Sequence, residues 1–499
     1  MYLLFSPFLF LPSSLFLKLN LKSLWIAQKL NWFLQVVGRS WRKPIRNSKR
    51  LRNRFEYQTI NCTAFNIGRK CPITNSTTFM DDSDTDSQPP PTCPEYFRWI
   101  HEDLRPWSNT GITREMLERA NRTAHFRLVI LNGRVYMEKF HRAFQSRDVF
   151  SRWGILQLMR RYPGKLPDLE LMFDCEDRPF IKTSEFSGPD APSPPPLFKY
   201  CRDSDTLDIV FPDWSFWGWP EVNLPPWEPL LKSFKEANKW IKWSKREPYA
   251  YWKGNPYVSG MRMELLTCNV SKDQDWNARI YAQNWDREAA QKFKDSNLTK
   301  QCTHRYKIYI EGIGWSVSQK YILACDSPTL LVKPQFYDFF SRSLIPMEHY
   351  WPINQNDKCR SIKFAVDWGN SHEQKAQAIG KAGSRFIQHD LNMDYVYDYM
   401  FHLLSEYSKL LTFKPTLPPN ARELCPEKIF CKVEGVAKSF ITESMVKSPA
   451  ERRPCTLLPP YDPPSILKSA KRKESTISKV ETLERQYWYN NNKSKNSKD

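Results

Sequence analysis

Three carboxylates follow a short apolar stretch in the segment LPDLELMFDCEDRP. Apolar residues alternate with others over residues 169–173, which predicts a strand, and Pro179 prevents that strand from continuing inside a sheet. Asp174, Glu176 and Asp177 therefore stand at its carboxyl end. In an open α/β sheet this is the edge where ligands bind, and a carboxylate there can accept the proton of an attacking hydroxyl.

The three acids cannot all be tightly buried and ionised, because burial and neighbouring negative charges raise the pKa of a carboxyl group. We expect one of them to face a cleft and the others to pair with cations or with solvent. A second interpretation stays open, in which the segment is an acidic loop that caps a helix or pairs with Arg178 and Arg202.

Two glycine-containing turns later in the chain have the form of anion sites. The segments EGIGWSVSQK and YWKGNPYVSGMR each run from a strand through glycine into a helix start, which presents backbone N–H groups to an anion. The first adds Ser316, Ser318 and Lys320, and the second adds Lys253 and Arg262. Together they could hold a diphosphate, although neither is a Walker loop or a dinucleotide fingerprint. Ordinary turns with surface cations are the alternative.

Tryptophans concentrate among prolines in the segment PDWSFWGWPEVNLPPWEPLL. Trp214, Trp217 and Trp219 are candidates for contacting a sugar, because the C–H faces of sugar rings pack against aromatic rings. Core packing is the alternative for each of them.

Asp203 and Asp205 form a D-x-D triplet of the kind that holds a nucleotide diphosphate through a metal ion in many sugar transferases. Short acidic triplets are also common on loops. Metal-dependent transfer is therefore one hypothesis, and activity in excess chelator would test it.

The elements that must position these residues alternate between strand and helix. A hairpin is predicted over residues 126–140, a helix over 146–164, and strand–turn–helix units over 248–266 and 305–332. Two long helices follow within residues 372–411. This alternation predicts the α/β class, with helices packed on the faces of parallel sheets.

The charge distribution argues against nucleic-acid binding, although the 499 residues carry a net charge of +20. Residues 1–54 hold 11 Lys or Arg and no acid, and residues 468–499 carry +5. Only +4 remains for residues 55–467, and no nucleic-acid-binding motif is present.

The cysteines and glycosylation sequons favour an oxidising lumen. Twelve cysteines are scattered without a zinc-type C-x₂-C pair, and six N-x-S/T sequons occur. The even cysteine count together with the sequons favours the secretory pathway, and a reduced cytosolic protein is the alternative. The sequons begin at Asn61, Asn75, Asn121, Asn269, Asn297 and Asn492.

The amino-terminal segment is open to two interpretations, a membrane anchor or a removable signal peptide. Its first 17 residues are uncharged but contain Pro7 and Pro12, so they fall between a signal peptide and a spanning helix. The basic run 39–54 would keep the body cytoplasmic by the positive-inside rule, which conflicts with the sequons. Membrane attachment through this segment and its removal both stay open.

Seven motifs follow one another in an order that resembles glycosyltransferase family 90, which contains the Rumi-type protein O-glucosyltransferases and the fungal capsule-associated xylosyltransferases. The resemblance covers about residues 93–455 and is greatest to the plant branch. The motifs are CPEYFRWIHEDLRPW, GITREMLERA, GKLPDLELMFDCEDRP, IVFPDWSFWGWPE, YAYWKGNPYV, HRYKIYIEGIGWSVSQKYILACDS and GSRFIQHDLNMDYVYDYMFHLLSEYSKLL.

The resemblance implies a GT-B fold, with two facing Rossmann-like domains and the sugar nucleotide in the cleft between them. It implies inverting transfer of glucose or xylose from a UDP-sugar to a hydroxyl of a protein or polysaccharide, in the lumen of the Golgi or the endoplasmic reticulum. No metal and no other cofactor are expected.

The family's site residues carry over position by position. Its catalytic base falls on Asp177 and its basic donor-binding residue on Arg262. Its diphosphate loop falls on residues 316–320, which include Val317. Animal members have an arginine where this chain has Ser318, so the contact there must be weaker or come from another residue. Lys320 and Lys253 are the candidates for that contact.

Two alternatives to this transferase stay open, a metal-dependent enzyme and a non-catalytic member that binds carbohydrate or protein. The presence of Asp177 favours an enzyme.

The predicted organisation has six parts. The parts are a hydrophobic start and basic stem (1–54), a linker (55–92), an acceptor domain (93–245), a donor domain (246–392), a closing helix with a carboxyl-terminal segment (393–455), and a basic disordered tail (456–499).

Overall fold

A computed structural model describes residues 56–68, 70–72, 89–188, 191–294 and 296–496. The hydrophobic start, the basic stem and the sequon at Asn75 lie outside these residues, so the predictions for them stay predictions. Among the described residues, no helix combines the length and the apolar character that crossing a bilayer requires.

Eleven strands of the described chain form two β-sheets. The first sheet has the order β11-β2-β1-β3-β4-β5, and the second has the order β10-β9-β8-β6-β7. The strands are β1 (Phe126–Leu131), β2 (Arg134–Lys139), β3 (Leu169–Phe173), β4 (Leu197–Lys199), β5 (Ile209–Val210), β6 (Glu247–Gly254), β7 (Ala278–Ala282), β8 (His304–Tyr309), β9 (Thr329–Val332), β10 (Trp351–Ile353) and β11 (Arg422–Leu424).

Helices cover and connect the two sheets. They are α1 (Cys62–Gly68), α2 (Trp99–Leu104), α3 (Arg114–Arg119), α4 (Arg147–Arg161), α5 (Trp227–Trp240), α6 (Gly260–Leu265), α7 (Trp285–Ala290), α8 (Ser318–Leu323), α9 (Lys358–Ser371), α10 (Glu373–Arg385), α11 (Met393–Leu410), α12 (Pro426–Phe430), α13 (Gly435–Glu443) and α14 (Pro463–Asn496). The predicted α/β class is confirmed.

The first sheet is mixed. Strands β3, β4 and β5 are parallel, whereas β11, β2, β1 and β3 pair antiparallel. The β1–β2 hairpin turns at Asn132 and Gly133, whose φ angles of 50° and 69° are the left-handed values that a two-residue hairpin turn requires. The predicted hairpin is therefore confirmed.

Strand β3 is the predicted strand before the three acids, and it is buried along its whole length. Its one charged residue, Glu170, is completely buried and pairs with Arg127 and Arg114. The alternating pattern therefore does not mark a solvent-facing side, because neighbouring elements cover both faces of the strand.

The second sheet is entirely parallel. Counted from β6, its strand order is 2-1-3-4-5, the doubly wound arrangement. In such a sheet, ligands bind outside the carboxyl ends of the strands where the order reverses, which here is the crevice between β6 and β8.

The segment after residue 392 returns to the first sheet. On α11, the Tyr407 hydroxyl donates a hydrogen bond of 3.0 Å to the backbone oxygen of Glu170 in β3. Strand β11 pairs with β2 and forms the edge of the sheet. The first sheet is thus completed by a strand almost 300 residues after β1–β2.

The prediction of a disordered tail over residues 456–499 is wrong for most of its length. Helix α14 occupies Pro463–Asn496. Val480 is buried with the core beside α9, and the Glu484 carboxylate accepts a hydrogen bond of 3.0 Å from Ser361. Charge and polarity suggested disorder, but between residues 473 and 491 every third or fourth position of the helix is at least partly buried.

Ten cysteines form five disulfides, which agrees with the predicted oxidising compartment. Two of the bridges attach Cys62 and Cys71 to the body, so this part of the predicted linker is fixed by covalent bonds. Cys175 and Cys201 are free and buried. The bridges are Cys62–Cys431, Cys71–Cys425, Cys93–Cys455, Cys268–Cys359 and Cys302–Cys325.

Candidate functional site

The three acids after β3 have three different environments. Asp174 is buried and lies 3.0 Å from the Lys199 ammonium group. Its carboxylate also accepts a hydrogen bond of 2.8 Å from the Glu176 amide. Burial opposes ionisation, but the contacts with His125, Lys199 and this amide outweigh it, so the pKa of Asp174 is lowered. Asp174 is therefore occupied by structural contacts.

Glu176 and Asp177 both reach solvent. The Glu176 side chain is 57% exposed. The Asp177 side chain is 27% exposed and forms a two-pronged pair with Arg147, with N···O distances of 2.9 Å and 3.3 Å. Such a pair fixes the orientation of the carboxylate plane. Asp177 is the one acid that is both accessible and oriented.

Arg147 was not predicted as the partner of an acid. It is the first residue of α4, is buried, and also donates to the backbone oxygen of Cys175 at 3.2 Å. The predicted partners bind elsewhere. Arg178 donates to the backbone of Ile313, and Arg202 pairs with Asp103. The sequence offered no sign of Arg147, because 30 residues separate it from Asp177.

The loop after β8 contacts the end of β3. A Cβ atom on Gly314 would lie 2.1 Å from the backbone oxygen of Asp177, so only glycine permits this approach. One residue earlier, the Ile313 oxygen accepts a hydrogen bond of 3.1 Å from Arg178. The glycine-containing segment predicted to bind an anion is therefore held directly against the candidate base.

Arg262 lies at the switch point of the second sheet. Its guanidinium donates to the backbone oxygens of Asn255 after β6 and of Ile310 and Glu311 after β8, at 2.8–3.2 Å. It also donates to the Ser316 hydroxyl at 3.1 Å. Burial lowers its pKa. Within the described part of the chain, no carboxylate lies within ion-pair distance of it, although Glu311 is near enough to act on its pKa.

The hydroxyl groups of Ser316 and Ser318 are neighbours, 2.8 Å apart. Val317 between them is the residue that precedes α8, and the Ser316 amide is bonded to the Tyr309 hydroxyl at 3.2 Å. The structure thus brings the predicted residues Arg262, Ser316, Val317 and Ser318 together beside the loop that contacts Asp177.

Two predicted donor-binding lysines have other partners. The Lys320 ammonium group is buried and lies 3.2 Å from the Asp213 carboxylate and 2.7 Å from the Ser215 hydroxyl. Lys253 pairs with Glu288 at 3.2 Å. Neither ammonium group bonds to Arg262 or to the two serine hydroxyls, although that of Lys320 approaches the Val317 backbone oxygen at 3.4 Å.

The predicted sugar contacts are contradicted for two of the three tryptophans. Trp217 and Trp214 are 0% and 1% exposed, so neither ring face can meet a sugar. Trp219 is half-buried, packs edge-on against Trp214, and donates to the Gln145 side chain at 2.7 Å. Core packing explains the first two, and the sugar-contact prediction stays open for Trp219 alone.

The D-x-D triplet serves a turn. One carboxylate oxygen of Asp203 accepts hydrogen bonds from the Asp205 amide at 3.0 Å and from the Thr206 hydroxyl at 2.9 Å. Among the described residues, one group has ligand atoms close enough for a metal ion, Cys93, His402 and Cys455. Its two sulfur atoms form a disulfide, so they do not act as thiolate ligands.

Comparison with known proteins gives one matching family. A model of "Glycosyl transferase family 90" matches residues 88–484, which include both sheets. Similar proteins include Protein O-glucosyltransferase 1 of Homo sapiens, 28% identical over 68% of this chain and 86% of that protein. The O-glucosyltransferase rumi homolog of Aedes aegypti is 27% identical over 63% and 78%. The O-glucosyltransferase rumi of Drosophila melanogaster is 23% identical over 63% and 77%.

Proposed function

The chain belongs to glycosyl transferase family 90, and from this premise we propose that it transfers glucose from UDP-glucose to a hydroxyl group of a protein, with inversion at the anomeric carbon. The names of its relatives support glucose as the sugar and a protein as the acceptor. The assay described below also offers UDP-xylose as donor and a polysaccharide as acceptor.

One observation carries the proposal: the loop after β8 brings an anion site and a candidate base into contact. Gly314 touches Asp177, and two residues later Ser316 touches the Arg262 guanidinium. A sugar diphosphate bound by Arg262 and the two serines would thus have its anomeric carbon near the Asp177 carboxylate. Proximity of this kind accounts for a large part of enzymatic rate enhancement.

The proposed reaction is a single displacement. Asp177 accepts the proton of the acceptor hydroxyl, whose oxygen attacks the anomeric carbon from the side opposite the diphosphate. Arg147 holds the carboxylate in place. Arg262, with the hydroxyls and amides of the 316–318 loop, stabilises the departing diphosphate. No metal is needed to neutralise it in this scheme.

A GT-B arrangement is consistent with a base on one domain and a diphosphate site on the other. We assign residues 93–245 to the acceptor side, which carries Asp177 at the end of β3. Residues 246–392 form the donor side, with the switch point between β6 and β8. The active cleft then lies where these two carboxyl edges meet, at the contact between Gly314 and Asp177.

The assay uses the full chain secreted from a eukaryotic host. UDP-glucose and UDP-xylose are each offered with a folded cysteine-rich peptide module, with the reduced module and with a polysaccharide, with and without chelator. We expect one hexose on the folded module, with equal rates in chelator. Loss of activity in chelator would support the metal-dependent hypothesis. UDP binding without transfer would support the non-catalytic alternative, and absence of both would refute the proposal.

The same protein tests the secretory location, because its sequons differ in accessibility. Asn121 and Asn297 are exposed, whereas the Asn269 amide donates to and accepts from the Ile280 backbone at 3.1 Å and 2.9 Å. We expect enzymatic deglycosylation in heavy-oxygen water to label Asn121 and Asn297 but not Asn269, as read by peptide mass spectrometry. Retention of the chain inside the host, with unmodified sequons and all twelve cysteines open to alkylation after denaturation, would indicate the cytosol instead.

A further inference from the structure

A buried polar cluster joins the first turn of α8 to the turn that follows β5. Its members are Asp213, Ser215, Lys320 and Tyr321, and all four are buried. Lys320 and Tyr321 lie two and three residues after the 316–318 loop. Asp213 and Ser215 belong to the tryptophan-rich segment of the acceptor side. The proposed function uses none of these four side chains.

The cluster is fully connected. The Lys320 ammonium group donates to the Ser215 hydroxyl at 2.7 Å and to Asp213 at 3.2 Å, and it also approaches the Val317 oxygen at 3.4 Å. The Tyr321 hydroxyl donates to Ser215 at 3.1 Å, and Ser215 donates to Asp213. A buried ion pair with its other hydrogen bonds satisfied holds its elements in one geometry.

From this cluster, contacts lead to the candidate base. Trp214, next to Asp213, has its ring 4.5 Å from the Arg147 guanidinium, and Arg147 holds Asp177. On the other side, Trp315 of the loop after β8 packs edge-on against Trp214, with ring centroids 6.0 Å apart. The turn after β5 therefore supports both the loop after β8 and the Asp177 carboxylate.

We propose that the buried Asp213–Lys320 pair is a positioning device that fixes the 312–318 loop at its working distance from Asp177. Lys320 then acts through the loop and does not touch the diphosphate. The expected change in kcat rests on the proposed function, whereas the expected loosening of the loop does not.

The chemistry of buried ion pairs allows positioning to be separated from stability. Removing one partner leaves an uncompensated buried charge and destabilises the fold strongly, whereas replacing both with neutral groups of similar volume is often nearly neutral. The single variants Asp213→Asn and Lys320→Met should therefore lower the melting temperature. The double variant should recover most of the loss, yet it still lacks the ion pair that fixes the loop.

The kinetic test compares these three variants with the wild type. We expect the double variant to melt near the wild-type temperature while its kcat falls roughly 10- to 100-fold, the effect of a misplacement on the order of 1 Å. KM for UDP-glucose should rise less than kcat falls, because Arg262 still contacts the donor although the 316–318 loop binds it less firmly. If the pair only stabilises the fold, kcat of the double variant should recover together with its melting temperature. That result would overturn the proposal.

A direct role of Lys320 in donor binding gives a different pattern. Lys320→Met would then weaken UDP binding by more than about 10-fold, the effect of losing a hydrogen bond to a charged group, whereas Asp213→Asn would not. That result would also overturn the proposal. Lys307→Met is the matched control, because Lys307 is equally buried but bonds within its own half, to Gln301.

Amide hydrogen exchange tests the same inference without substrate. The double variant should exchange faster than the wild type in peptides covering residues 312–317 and 174–178, whereas Lys307→Met should leave both unchanged. Unaltered exchange in the double variant refutes the positioning role. If the wild-type chain transfers no sugar, the proposed function fails, but this measurement still decides whether the pair holds the loop.

Discussion

Asp177→Asn is expected to lower kcat by about 10²–10⁴-fold, the usual cost of losing a general base. Asparagine keeps the shape of the side chain and can still contact Arg147, but it cannot accept a proton at neutral pH. UDP binding should persist, because Arg262 and the 316–318 loop are untouched. The measurements are initial rates under donor saturation and the shift in melting temperature caused by UDP.

The two neighbouring acids are matched controls. Glu176→Gln changes an exposed group and should leave kcat and stability nearly unchanged. Asp174→Asn should destabilise the fold by about 3 kcal/mol at neutral pH, because it leaves Lys199 buried without its partner. Folded Asp174→Asn protein should still transfer sugar.

The pH dependence of Asp174→Asn follows from the lowered pKa of Asp174 in the folded state. A carboxyl group with a depressed pKa stabilises the fold above its unfolded pKa, and that contribution is lost as the pH falls through the folded value. The stability difference between this variant and the wild type should therefore shrink in acid.

Near wild-type transfer by folded Asp177→Asn would refute the role of Asp177 as the general base. Selective inactivity of Asp174→Asn would assign the base to Asp174 instead.

Arg262→Ala should reduce UDP affinity about 10- to 100-fold, corresponding to the loss of about 1.5–3 kcal/mol from a charged hydrogen bond. The reason is that this guanidinium lies at the switch point without a carboxylate partner among the described residues. In the wild type, UDP at about 100 times its Kd should add about 2.7 kcal/mol of stability. Calorimetric titration gives the affinity, and thermal melting gives the stabilisation.

Two further substitutions separate binding from folding, since Arg262 also connects the ends of β6 and β8. Arg262→Lys keeps the charge but not the forked geometry, so it should recover part of the affinity. Arg279→Ala removes an arginine from β7 that pairs with the partly exposed Asp275, and it should not affect UDP. Unchanged UDP affinity in folded Arg262→Ala would refute the donor site.

Features encoded by neighbouring residues could be predicted from the sequence. The β1–β2 hairpin depends on the Asn132-Gly133 pair, whose conformational preference is local. The strand, glycine and helix sequence around Gly314 was recognisable from its local pattern, although the contact of Gly314 with Asp177 was not. The alternation of strands and helices sufficed for the α/β class.

Features that depend on distant partners could not be predicted. Nothing near Asp177 identifies Arg147 as its partner, and nothing near Lys320 identifies Asp213, because the fold brings these pairs together. The tryptophans had the right chemistry for a sugar, but Trp217 packs against α4 and α11. Trp214 packs against other aromatic rings, among them Tyr200 and Trp315. Helix α14 was missed because its inward stripe is short of apolar residues, and several of its buried contacts are polar.

The long-range disulfides have a consequence for biosynthesis. Three of them join cysteines near the start of the described chain to cysteines 354 to 369 residues later. At about 5–20 residues per second, the ribosome needs roughly 20 to 70 s to deliver the second cysteine of each pair. Strand β11, which completes the first sheet, emerges equally late.

The second sheet and its two disulfides, by contrast, are encoded without interruption, with cysteines only 91 and 23 residues apart. The half that is synthesised later can therefore mature first, while the earlier half waits with reduced thiols for its final strand. Vectorial synthesis would then place a demand on the thiol-protecting chaperones of the compartment, and the Cys93–Cys455 bridge would be among the last bonds to close.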